Sequence, residues 1–299
     1  GSIYARPYCG HVKQLKGIGM AYINSIKKDG ENIILYKCSE PVPELLLSVE
    51  GCVNIGFLDT ETTGLDKQNN EIIELALKVV KFEEGSGKIV SIDHEFESFN
   101  DPGGHIDEGI TLINGITDEM VKGKSIDWST VDTILQEVDI IVSHNASFDR
   151  GFMDRYSTIS KNTVWACSID DIDWLERGFT NTKQELLCHW HGFYFDAHRA
   201  MNDVNALIHL VTHQHYNGNR PVLELIENAG KPIYVIHATN FPYDEVKKDK
   251  IKANGYQWNG VNKIWFKRVN FVNLGSEKEW LTSIIYDTHF LGEVEEINL

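Results

Sequence analysis

From Val53 onward the chain repeats a pattern that a sheet flanked by helices accommodates. Val53 to Leu58 is a short apolar run that stops at Asp59 and Thr60, the form of a buried strand ending at polar residues. Ile72 to Phe82 and Ile89 to Phe99 are two further strand-like runs. The Glu-Glu-Gly-Ser-Gly-Lys between them makes the pair read as a hairpin. Pro102, Gly103 and Gly104 break the chain, and the spacing then predicts helices over 107–121 and 127–138. A buried strand from Asp139 to His144 follows, then a helix over 146–157, a strand at 163–167 and helices near 168–176, 182–191 and 197–214. Three meandering strands followed by alternating helices and strands place the chain in the α/β class, a mixed sheet flanked by helices. Pro221 and Gly230-Lys231-Pro232 punctuate what comes next. Beyond them, Ile233 to Ala238 reads as a strand, 243–254 as a basic helix, Tyr256 to Phe266 as a hairpin and 277–286 as a helix. The expected organisation is an N-terminal extension (1–52), a main domain (53–216), a linker (217–230) and a small C-terminal α+β module (231–299).

Composition narrows the setting. At 299 residues there is room for one full core and a smaller unit, and 42% hydrophobic with 24% charged residues is an ordinary globular balance. Apolar runs such as Ile140-Ile141-Val142 are far too short to cross a bilayer, so no membrane partner is expected. The first residues show no charged start followed by an apolar stretch, so no signal peptide is expected either. Five cysteines (Cys9, Cys38, Cys52, Cys167 and Cys188) lack a repeating spacing, which points to a reducing, cytoplasmic compartment. A metal site from Cys9, His11, Cys38 and Cys52 is disfavoured, because Cys-x-His lacks the paired spacing of common zinc modules. Cys188-His189-Trp190-His191 is disfavoured too, since helical neighbours point in different directions.

A net charge of −16 argues at first against a nucleic-acid partner. Its distribution changes that reading. Residues 53–230 carry 13 basic and 30 acidic side chains, whereas 231–268 carry 8 basic against 3 acidic. An acidic body can concentrate divalent cations, and a basic stretch can meet a polyanion.

Several of those acids stand where apolar residues belong. Ala200, Val204, Leu207, Ile208 and Val211 form a stripe at helical spacing, and Asp203 falls on it. Asp149 shares a helical face with Phe152, Met153 and Tyr156. Asp59 closes an apolar strand, and Glu61, two residues on, points the same way in extended chain. A carboxylate taken out of water without a partner costs several kcal/mol or becomes neutral. Only Arg150 and Arg199 lie nearby to compensate. Hard divalent cations, Mg²⁺ or Mn²⁺, prefer carboxylate oxygens, and two such ions can clamp a phosphodiester.

These residues carry a resemblance. Phe57-Leu-Asp-Thr-Glu-Thr-Thr-Gly-Leu65, Ser143-His-Asn-Ala-Ser-Phe-Asp149 and His198-Arg-Ala-Met-Asn-Asp203 resemble the three exonuclease motifs of the DEDDh family. That family includes the proofreading subunit of bacterial replicative polymerase and ribonuclease T. The likeness covers about residues 53–215, and Asn114-Gly-Ile-Thr117 resembles a family segment beside the substrate. The resemblance implies a ribonuclease H-like fold and stepwise release of 5′-mononucleotides from a free 3′ end. It implies that Asp59, Glu61 and Asp203 ligate one metal and that Asp59 bridges to a second, whose shell Asp149 helps hold through water. His198 is implied as the base that takes a proton from the attacking water, a role suited to the side chain that titrates nearest neutrality. Thr62, Thr63, Gly64 and Leu65 are implied to hold the terminal nucleotide, with Asn145 and Phe148 lining its pocket.

The C-terminal segment interleaves cations with aromatics, from Lys247 through Tyr256, Trp258 and Trp265 to Arg268. That pattern suits contact with a nucleic-acid backbone plus stacking on unpaired bases, and equally suits a small aromatic core kept soluble by lysines. The expected function is metal-dependent 3′→5′ hydrolysis of single-stranded nucleic acid, with DNA favoured over RNA by the family resemblance alone. An RNA-specific enzyme and a catalytically idle binding module are the alternatives, and a polymerase-associated subunit is disfavoured by the short stretch before the C-terminal module.

Overall fold

The computed structural model of the protein describes residues 22–46 and 51–297. The possible Cys9 and His11 ligands lie outside the described residues. Strands β1 (Lys27–Asp29) and β2 (Asn32–Ile34) form a hairpin, and β3 (Tyr36–Lys37) follows. The main sheet is then laid down by β4 (Cys52–Thr62), β5 (Ile72–Glu83) and β6 (Ile89–Phe99), all antiparallel neighbours.

Helices α1 (Glu108–Asn114), α2 (Asp118–Val121) and α3 (Trp128–Leu135) lead to β7 (Ile140–Ser143). The single helix expected over 107–121 is broken by Gly115, whose φ of 71° ends α1 in a left-handed turn open to glycine. Helices α4 (Ala146–Met153) and α5 (Thr158–Asn162) precede β8 (Val164–Cys167). The order of the sheet is β6-β5-β4-β7-β8, with β7 and β8 parallel to β4. This mixed sheet flanked by helices is the ribonuclease H-like class expected.

The expected helix at 168–176 is instead a run of turns. Asp171 accepts the backbone N–H of Cys167 at 2.7 Å and Asp173 that of Glu176 at 2.8 Å, so acid side chains capture the donors a helix needs. Next come α6 (Gln184–Trp190), β9 (Phe193–Tyr194), α7 (Ala200–Val211) and α8 (Pro221–Asn228). The stretch read as a linker therefore holds a helix, with Val222 and Leu225 fully buried in the main core. Pro221 sits in the first turn of α8, where its missing N–H costs nothing, so it starts a helix rather than ending the domain. The extension is likewise packed on the body, through β3 beside β9 and Ile23 in the core.

Alternation along the strands assigns each face of the sheet. Ile55 and Phe57 of β4 and Ala76, Val80 and Phe82 of β5 pack with α6, α7 and α8. Leu58, Leu75, Leu77 and Val79 point the other way, onto α3 and α4. Strand β5 is buried on both faces, and its near-continuous apolar run is the mark of an interior strand.

Strands β10 (Ile233–His237), β11 (Gln257–Asn259), β12 (Ile264–Asn270) and β13 (Glu293–Ile297), with helices α9 (Glu245–Ala253) and α10 (Leu274–Leu281), form a second sheet. Its order is β11-β12-β10-β13, all antiparallel, over a core of Ile236, Ile251, Tyr256, Trp265, Leu281 and Ile285. Among the described residues no helix is long and apolar enough to cross a membrane.

Candidate active site

The register of β4 decides where its acids go. Residues 55 and 57 face α7, so Asp59 and Glu61 continue that face past the end of the apolar run. Asp203 lies in the first turn of α7, on the stripe that packs against the same face. Carboxylate oxygens of Asp59, Glu61 and Asp203 consequently lie within 4.8 Å of one another, as the one such group of three among the described residues. A register shift between Glu61 and Thr62 ends the regular pairing with β5 at this point.

Asp149 arrives from the opposite face. Thr60 alternates away from α7, and Asp149 on α4 accepts both its backbone N–H at 3.0 Å and its hydroxyl at 2.8 Å. The side chain is 2% exposed and belongs to no three-way oxygen group, but among neighbouring charges Asp149 acts most strongly on Asp59. His198 is exposed immediately before α7, with a φ of 64°, and its charge is felt by Glu61.

Crowding shows in the protonation of these groups. Burial first, then repulsion from Asp149, Asp203, Glu61 and Glu74, raises Asp59 well above the ordinary carboxylate range. Burial pushes Asp149 up to about 7 against the partial relief of the Thr60 hydrogen bonds. Asp203 is also pushed to about 7, by burial and by Glu61, although it accepts the Arg199 backbone N–H at 3.1 Å. Glu61 is raised by burial too, and relieved by the Asn114 amide, which donates to it at 3.2 Å.

The nearest guanidinium is committed elsewhere. Arg199 donates to Glu74, with Nη2 to Oε1 at 2.8 Å, and Glu74 also accepts the backbone N–H of Ala200 at 3.0 Å. Glu74 is 1% exposed, so one buried carboxylate pins the N-terminus of the helix that carries Asp203. Sequence reasoning passed over this residue. The available signal was a lone acid inside Ile72-Ile-Glu-Leu-Ala-Leu77, a run otherwise apolar. An all-oxygen donor set with excess negative charge and no free arginine beside it fits a hard divalent cation.

The remaining expected residues surround this cluster unevenly. Thr62 is buried and donates its hydroxyl to the Gly64 carbonyl at 2.7 Å. The Thr63 hydroxyl accepts the Glu71 N–H at 3.0 Å. A Cβ at Gly64 would lie 2.5 Å from Asn70 Oδ1, so the turn tolerates only glycine without rearranging. Leu65 projects outward, 84% exposed. Asn145 caps α4 from a left-handed conformation (φ 73°). Phe148 packs against the α3–α4 core, its ring 5.1 Å from Phe152, and is only partly buried.

Comparison with known proteins places the chain. The sequence model of the RNase_T family, described as exonuclease, matches residues 57–211. The PolC-type DNA polymerase III of Halalkalibacterium halodurans is 34% identical over 166 residues, covering 51% of this chain and 11% of that protein. The PolC-type enzyme of Bacillus subtilis is 30% identical over 218 residues, covering 67% and 13% respectively. The chain thus spans about a tenth of the length of the curated relatives it matches. Among solved structures, Exonuclease I (apo) aligns with a TM-score of 0.46 at 16% identity, over 62% of this chain and 50% of that one. Exonuclease X in complex with 5′ overhanging duplex DNA aligns with a TM-score of 0.42 at 21% identity, over 57% and 99%.

Proposed function

Because the chain belongs to the exonuclease family whose sequence model covers residues 57–211, we propose that it is a metal-dependent 3′→5′ exonuclease acting on single-stranded nucleic acid, DNA in preference to RNA. The observation that carries this reading is the convergence of Asp59, Glu61 and Asp203 oxygens within 4.8 Å, drawn from a strand end and a helix more than a hundred residues apart. Asp59, Glu61 and Asp203 are the residues to hold two Mg²⁺ or Mn²⁺ ions, with Asp149 supporting from the far side of β4. When bound, the ions offset the clustered carboxylates and stabilise the charge that develops on the phosphodiester.

The protein's own groups do the rest. His198, exposed at the mouth of the site, accepts the proton of the water that attacks phosphorus. The bond broken joins phosphorus to the 3′-oxygen of the preceding nucleotide, so a 5′-mononucleotide leaves. Leu65 and Phe148 offer apolar surface to the terminal base and sugar, and the Thr62-Thr63-Gly64 backbone and Asn145 flank it. A reducing, cytoplasmic setting accords with free Cys38, Cys52, Cys167 and Cys188.

The test incubates the protein with 5′-labelled DNA and RNA strands in Mg²⁺, Mn²⁺ or chelator. A ladder shrinking from the 3′ end, abolished by chelator and by Asp59→Ala, is the expected result. Product that shortens from the 5′ end, or hydrolysis that survives Asp59→Ala, overturns it. Degradation confined to the RNA strand reverses the substrate preference while leaving the mechanism intact.

A further inference from the structure

The C-terminal sheet divides its aromatic residues between two tasks. Tyr256 and Trp265 are core, 4% and 6% exposed, whereas Tyr243 is 79% exposed and Trp258 42%. These exposed rings share one backing. Tyr243 lies 5.8 Å from Phe241, Phe241 lies 6.4 Å from Trp265, and Trp265 lies 5.2 Å from Trp258, its direct cross-strand partner. Two outward rings are therefore fixed at the ends of a continuous aromatic path, with little freedom left to lose on binding.

Cations border both ends of that path. Val246 is 62% exposed, and Lys250 follows it by one turn on the same face of α9, which begins two residues after Tyr243. Lys263 and the 90% exposed Val261 sit in the turn joining β11 to β12, beside Trp258. The lysines nearest the core are already engaged, Lys247 with Asp287 and Lys267 with Glu277. Among the described residues Lys250, Lys252 and Lys263 have no acidic partner. Of the neighbouring acids, Asp244 caps α9 and Glu245 pairs with Lys248, leaving Asp249 as the uncommitted one. On a chain of net charge −16, this is a face where a polyanion meets unspent positive charge rather than repulsion.

The module is also tied to the body near the acid cluster. Arg268 pairs with Asp170 at 2.9 Å and Asn273 donates to Asp173 at 3.0 Å, both in the turns that lead towards α6. The side chain of Gln184, the first residue of α6, donates to the backbone carbonyl of Asp203.

We propose that this face is a second nucleic-acid contact, which holds an unpaired stretch of the strand by stacking bases on Tyr243 and Trp258 and by pairing phosphates with Lys250 and Lys263. The proposal rests on the exonuclease reading for its choice of polyanion. Base stacking on an aromatic and phosphate contact with lysine leave different signatures, the first weakly and the second strongly dependent on salt.

The test measures anisotropy of a 5′-fluorescein-labelled thymidine 20-mer with the full chain in chelator, where hydrolysis cannot interfere. Tyr243→Ala and Trp258→Ala are each expected to weaken binding roughly ten-fold. The Lys250→Ala/Lys263→Ala double variant is expected to weaken binding and to flatten the log–log salt dependence by about 1. Hydrolysis of the p-nitrophenyl ester of thymidine 5′-monophosphate, too short to reach the module, is expected to be unchanged in all three. Affinity unaltered by every variant overturns the proposal, as does loss confined to the lysine variant, which reduces the face to a nonspecific charge contact. Should Trp258→Ala fail to fold, Tyr243→Ala and the lysine pair still decide. A chain that binds the 20-mer through these residues yet hydrolyses neither substrate sinks the exonuclease reading alone. A chain that hydrolyses both while ignoring these substitutions sinks this proposal alone.

Discussion

The five-stranded and four-stranded sheets handle charge in opposite ways. At the end of β4 the larger sheet draws Asp59, Glu61 and Asp203 together and assigns the nearest guanidinium, Arg199, to Glu74. In the smaller sheet the buried acid Glu277 is matched internally by Lys267 at 2.7 Å, and the cations left over point outward. An inward cluster of like charge is unstable until something arrives to neutralise it. An outward row of unpaired lysines costs almost nothing and waits for a partner. The contrast teaches that the two regions are built for ligands of opposite sign, cations in one and a polyanion in the other.

Substitution in the acid cluster should break that contrast hardest. Asp203→Ala is expected to lower kcat on the order of 10³-fold, read by release of labelled mononucleotide. The same variant should raise the melting temperature of the metal-free protein, because it removes a member of a repelling set. A melting temperature that falls instead would show that Asp203 is structural. His198→Ala should cost about 10²–10⁴-fold in kcat while leaving metal affinity, measured by calorimetry, as it was. Equal loss of metal in the His198 variant would contradict its role as proton acceptor.

Glu74→Gln probes the residue that positions rather than reacts. Loosening its hold on Arg199 and Ala200 is expected to cost roughly 10-fold in kcat, with KM for a short ester little changed. Glu74→Asp should recover more of that activity than Gln if charge is the requirement, and less if reach is.

The smallest expected effect is on stability against pH. Asp149 and Asp203 have an ordinary value of 3.8 and sit at about 7 in the fold, so between those limits the folded chain holds more protons than the unfolded one. Their contribution is therefore full below about pH 4 and is lost as pH rises through 7. Thermal unfolding in chelator should show stability falling from pH 5 to 8, and saturating Mg²⁺ should flatten that slope. A slope of the same size with and without Mg²⁺ would mean that the cluster does not bind the ion.

Much of the larger unit was readable from the chain alone. Periodicity located β4, β5, β6 and β7 because interior strands are continuous apolar runs, and it marked Asp59, Asp149 and Asp203 because each interrupts one. It misplaced 168–176 because Asp171 and Asp173 compete for backbone donors there, an outcome that side-chain geometry settles and composition does not. It read Pro221 as a terminator although the same residue starts α8. In the C-terminal segment it found the aromatic and basic residues but could not sort them, since Trp258 and Trp265 look alike in a string of letters and differ only in which neighbours cover them.

Residue identity and local spacing were enough to specify the elements, the class of fold and the acids that needed a counterion, because these follow from short-range periodicity and the cost of dehydrating a charge. The meeting of β4 with α7, the approach of Asp149 from the opposite face, the commitment of Arg199 to Glu74 and the exposure of Tyr243 all depended on long-range packing. Each joins or covers groups far apart along the chain, and nothing in a local window encodes which of them will meet.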